Sequence, residues 1–70
     1  MTLLQRTVVQ RLRDRGYGTL ANAAKDCWSN GERVMVNALL VISPDDAQLR
    51  IDYERCDEQA AAGRKIRAFS

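Results

Sequence analysis

The chain has 70 residues, 46% of them hydrophobic, and 11 basic against 9 acidic side chains leave a net charge of +2. That length holds one small domain (residues 1–70) with a marginal core, since chains this short bury only about 60% of their unfolded surface. There is no histidine, which excludes Ser-His-Asp and Cys-His nucleophile systems, a histidine base and the usual Cys/His zinc sets.

The two cysteines, Cys27 and Cys56, are too far apart in sequence for a CxxC redox or metal hook. Residues 1–20 carry Arg6, Arg11, Arg13, Asp14 and Arg15 without the apolar stretch of a signal peptide. The expectation is a cytoplasmic protein with both thiols reduced. The longest uncharged run, Val34 to Pro44, is 11 residues, against about 20 for a membrane span. No membrane partner, metal or cofactor is expected.

Residues 2–15 read as a helix. Leu4, Val8 and Leu12 recur every four positions, Arg6, Gln10 and Arg13 take another face, and Gly16 supplies a stop. Arg11, Arg13 and Arg15 sit near its C-terminal end, where the helix dipole favours positive charge. After Gly16-Tyr17-Gly18, Thr19 is a suitable N-cap for a second helix. Its apolar face is Leu20, Ala23, Ala24, Cys27 and Trp28, and Ser29-Asn30-Gly31 closes it.

The middle of the chain carries two conflicting signals. Arg33 to Ile42 is nearly all apolar and rich in β-branched residues, which fits a buried strand or a buried helix; as a strand both its faces are apolar, and the second needs another subunit or a target to cover it. Ser29 with Glu32 fits a capping box, and Ser43-Pro44-Asp45-Asp46 fits a helix start with Pro at N1. Against this, residues 49–54 alternate strictly between apolar and charged. A helix would set Ile51 about 160° from Leu49, whereas a strand puts Leu49, Ile51 and Tyr53 on one face. The alternation predicts a β-hairpin of residues 33–42 and 48–54. From Cys56 to Ala62 the composition favours a short helix, followed by a basic end with Arg64, Lys65 and Arg67. The expected fold class is therefore α+β: two N-terminal helices, a β-hairpin and a short C-terminal helix. The alternative is a compact all-α four-helix domain.

Charge is segregated along the chain: residues 1–31 sum to +3, 32–58 to −4 and 59–70 to +3. The carboxylates at 45, 46, 52, 54, 57 and 58 would need to converge to support metal or acid–base chemistry. Arg50 on the same strand face as Asp52 and Glu54 favours a self-neutralising surface instead. Gly16-Tyr17-Gly18-Thr19 lacks the third glycine of a dinucleotide loop and the Lys of a Walker loop, so it reads as an interhelical turn. A helix–turn–helix register fails, because the position wanted for a small residue falls on Leu12 or Asp14.

With so little to lower a chemical barrier, the expected function is a non-catalytic protein-binding module. Such a small regulator or inhibitor, of the phage or mobile-element type, would occupy a partner protein's surface and pair as a homodimer. Its binding energy is expected on Arg11, Arg13, Arg15, Tyr17, Trp28 and Tyr53, residue types enriched at interface hot spots. The alternative is a small nucleic-acid-binding transcriptional regulator, with the N-terminal arginines pairing phosphates.

Overall fold

A computed structural model describes residues 1–69, with side chains placed for residues 1–62 except Leu39. Its elements are α1 (Leu3–Asp14), α2 (Gly18–Ser29), a single turn α3 (Ala38–Val41), a 3₁₀ turn (Pro44–Asp46) and α4 (Ala47–Phe69). Among the described residues there is no strand.

Helix α1 begins with a reciprocal capping box. Thr2 Oγ1 accepts from the Gln5 N–H at 3.1 Å, and Gln5 Oε1 accepts from the Thr2 N–H at 2.8 Å. Its buried face is Gln5, Val8, Val9 and Leu12, the expected Leu4-Val8-Leu12 row widened by Gln5 and Val9, with Leu4 half-buried at its edge. Leu3 is left exposed.

Both N-terminal helices end in the same way. Gly16 (φ 89°) and Gly31 (φ 70°) occupy the left-handed region that side-chain-bearing residues avoid. At the first stop Tyr17 N–H donates to Leu12 O at 2.8 Å and Gly16 N–H to Arg13 O at 3.1 Å. At the second, Glu32 N–H donates to Cys27 O at 2.8 Å and Gly31 N–H to Trp28 O at 3.2 Å. These are Schellman closures, which satisfy the last helical carbonyls and reverse the chain. Helix α2 starts at Gly18, so Thr19 lies inside its first turn rather than capping it.

The expected β-hairpin of residues 33–42 and 48–54 is absent, and the all-α alternative describes the fold better. Ser43, Pro44, Asp45 and Asp46 form a helix start, not a hairpin turn: Ser43 Oγ accepts from the Asp45 N–H at 3.3 Å, with Pro44 at the first position. Helix α4 then buries Leu49, Asp52, Tyr53, Cys56 and Ala60, which recur at three- and four-residue spacing. The alternation at 49–54 is a short sample of that longer period. Ile51, 53% exposed, is the residue a helix must turn outward. Without a partner strand, residues 32–37 run as an irregular crossing that buries Val34, before α3 and Ile42 return the chain to the core.

The contacts define the topology. Thr2 reaches Gln59, Gln5 reaches Cys56, Arg11 reaches Asp52 and Arg15 reaches Asp46, so α1 and α4 run antiparallel. Tyr17 reaches Asp46 and Trp28 reaches Asp57, so α2 runs parallel to α4. One core joins the three helices, with Val8, Leu12, Ile42, Tyr53 and Cys56 essentially sealed.

Two substitutions separate backbone from side-chain effects. A Cβ at Gly16 would meet nothing within 4 Å, so the cost of Gly16→Ala is conformational, about 1–2 kcal/mol. The Tyr53 hydroxyl is buried without a hydrogen-bond partner among the described residues, so Tyr53→Phe should be neutral or stabilising by up to about 1 kcal/mol. Urea unfolding of both variants checks this; a Tyr53→Phe loss comparable to that of Gly16→Ala would show that the hydroxyl is satisfied.

Candidate functional site

The arginines of α1 are sorted by face. Arg11 Nη1 lies 3.0 Å from Asp52 Oδ2, and Gln48 Nε2 also donates to that carboxylate, at 3.1 Å. Arg15 Nη1 lies 3.3 Å from Asp46 Oδ1, whose other oxygen accepts from the Tyr17 hydroxyl at 3.0 Å. Tyr17 Oη in turn accepts from the Ser43 N–H at 3.0 Å. Arg11, Arg15 and Tyr17 thus fasten α1 and the first interhelical turn onto the start of α4. Arg11, Arg15, Asp46 and Gln48 also line a groove of about 450 Å³.

Arg13 points elsewhere. With Arg6 and Gln10 from α1 and Lys25 and Ser29 from α2 it lines a groove of about 690 Å³. No carboxylate lines that groove, and among the described residues none of its three cations has an ion-pair partner. The Arg6, Gln10 and Arg13 row was legible as a separate face of α1; Lys25 carried no signal that would join it to them. The basic residues Arg64, Lys65 and Arg67 lie outside the described side chains.

Trp28 and Tyr53 are only 3% and 2% exposed. Their rings stack at 5.3 Å and 57°, a tilted geometry that favours edge-to-face attraction. In this fold they form core, and present almost no surface to a partner.

The carboxylates do not converge. Asp46 and Asp52 each hold one arginine, while Asp57 Oδ1 accepts from the Trp28 indole N–H at 2.8 Å and the Val34 N–H at 3.0 Å. Asp45, Glu54 and Glu58 are exposed. Burial, with Asp52 and Asp57 nearby, pushes the Cys56 thiol up to about 11 despite Arg55, which acts the other way. Burial and the carboxylates of Glu32, Asp26 and Asp57 also raise Cys27, so neither thiol is an activated nucleophile.

A third surface lies on the apolar run that the sequence offered as either core or interface. Met35 is 95% and Leu40 84% exposed, with Val36 and Val41 partly so. Val36 also lines a groove of about 330 Å³ with Arg33, Glu54 and Glu58. The irregular crossing of residues 32–37 turns Met35 and Val36 outward, and the single turn of α3 does the same for Leu40 and Val41.

Among the described residues no helix is long and apolar enough to cross a membrane. No family model matches the chain, and no match was found among the curated proteins or the solved structures.

Both cysteines are free thiols, so adding dithiothreitol should leave Tm unchanged. At pH 9 iodoacetamide should modify Cys27 before Cys56; Cys56 reacting first, or a large fall in Tm with reductant, would contradict the placement of the pair.

Proposed function

We propose that this protein is a non-catalytic binding module that acts by occupying the surface of a partner protein with an apolar ledge made of Met35, Val36, Leu40 and Val41. The observation that carries the reading is the exposure of Met35 and Leu40 beside a core that is already closed. Large apolar side chains left in water within a few residues of one another mark interaction surfaces. Burying one such side chain contributes about 1.5–3 kcal/mol. The two most exposed residues therefore supply more than any rim charge would.

Charge selects the partner. Glu54 and Glu58 outnumber Arg33 in the groove beside the ledge. A segment whose apolar face is flanked by lysine or arginine complements this surface. Two copies meeting ledge to ledge would bring the glutamates together, which disfavours the homodimer by this route. Occupying a surface in this manner is how a small regulator or inhibitor works, and it places binding energy on Met35 and Leu40 in preference to Trp28 and Tyr53.

The test uses two helical peptides with the same apolar face, one flanked by lysines and one by glutamates. By NMR titration the lysine peptide should bind at least tenfold tighter and shift the amides of residues 35–41, 54 and 58. Met35→Ser/Leu40→Ser should abolish that binding while changing stability by no more than about 0.5 kcal/mol. Shifts elsewhere, equal binding of the two peptides, or a Leu40-dependent dimer by light scattering would contradict the proposal.

A further inference from the structure

The groove between α1 and α2 is a second surface, independent of the apolar ledge. We infer that it binds the phosphate backbone of a duplex nucleic acid, through Arg6 and Arg13 of α1 and Lys25 of α2. Arg11 and Arg15, which the sequence alone would enlist for this task, are held by Asp52 and Asp46 on another face. What remains is a concave surface with three cations and no carboxylate. Three like charges around one depression repel one another, and an anion seated there relieves that repulsion.

The geometry suits a repeating polyanion. Arg6 and Arg13 lie seven residues apart on one helix, which is about 10.5 Å at 1.5 Å per residue. That separation lets the two guanidinium groups reach different phosphates of one strand. Lys25 contributes from the facing helix, and Gln10 and Ser29 make the remaining lining polar. Guanidinium forks grip phosphate oxygens bidentately, and each neutralised phosphate releases counterions.

The lining also discriminates among polyanions. Single-strand binders stack bases on aromatic rings, and no aromatic side chain lines this groove. Trp28 and Tyr53 are in the core and the Tyr17 hydroxyl is engaged by Ser43 and Asp46. Surface-lying membrane helices set Trp, Phe or Leu beside their cations, whereas the apolar members here are Val9 and Met1. Contacts to phosphate alone carry no sequence information. The site therefore reads a duplex without sequence preference.

Fluorescence anisotropy of the full chain with a random-sequence DNA duplex tests this. Three phosphate contacts at a slope of about −0.9 each give a log–log salt slope near −2.7. Affinity should then fall about 40-fold between 50 and 200 mM salt. Arg6→Ala/Arg13→Ala should reduce the slope to near −0.9. The charge-matched control Arg33→Ala/Arg55→Ala should leave it unchanged, and circular dichroism should show both variants folded, since all four side chains are exposed. The inference is overturned if the parent fails to bind duplex at 50 mM salt or if both double variants weaken binding equally. Tighter binding to single strands, anionic vesicles or polyglutamate would overturn it as well.

Discussion

One carboxylate oxygen ties together α2, the crossing and α4, three parts of the chain that share one core. Asp57 Oδ1 accepts from the indole of Trp28 at the end of α2 and from the main chain of Val34 in the crossing. Hydrogen bonds to a charged acceptor contribute about 1.5–3 kcal/mol each, and more is lost when a buried donor is left without a partner. The indole bond fixes the ring that stacks on Tyr53, and so sets the depth at which α2 lies against α4. The amide bond sets the course of residues 32–37. Once Val34 is pinned inward, the chain has to carry Met35 and Val36 on its outer side. The first half of the apolar ledge follows from that constraint.

The same logic of polar anchors applies to α1. Helices of twelve residues are marginal in isolation, and α1 gains its position from apolar packing along Val8, Val9 and Leu12. Packing alone permits sliding by a turn. Gln5 on the Cys56 carbonyl at 3.0 Å, Arg11 on Asp52 and Arg15 on Asp46 remove that freedom. The exposed ends of the two arginines limit each ion pair to less than about 1 kcal/mol. Their value lies in register more than in stability. They also use up two of the four arginines of α1 and its C-cap, which leaves Arg6 and Arg13 to define the basic groove.

Much of the N-terminal half was legible in the sequence because its signals are local. Glycine at a helix end, arginines in a last turn and apolar spacing in α2 each report on a few neighbouring residues, and each was realised in the fold. The error lay at 49–54, where six residues are too short a window to separate a period of two from one of 3.6. Extending the row through Cys56 and Ala60 would have distinguished them, as would giving Ser43-Pro44 its full weight. The candidate sites depended on long-range pairing. Nothing near Arg11 or Arg15 in sequence announces Asp52 or Asp46 as partners, and nothing near Trp28 announces Asp57. Residue type alone therefore could not tell a binding arginine from a structural one, or an interface tryptophan from a core one.

Native-state hydrogen exchange at the Trp28 indole and the Val34 amide tests the organising role of Asp57 most directly. Both protons should be protected in the parent and open with a common free energy. In Asp57→Ala both should lose protection together, with a global destabilisation of at least about 3 kcal/mol, while the amides of α1 keep their order of protection. Independent exchange of the two protons in the parent, or protection of either one surviving in Asp57→Ala, would contradict the account.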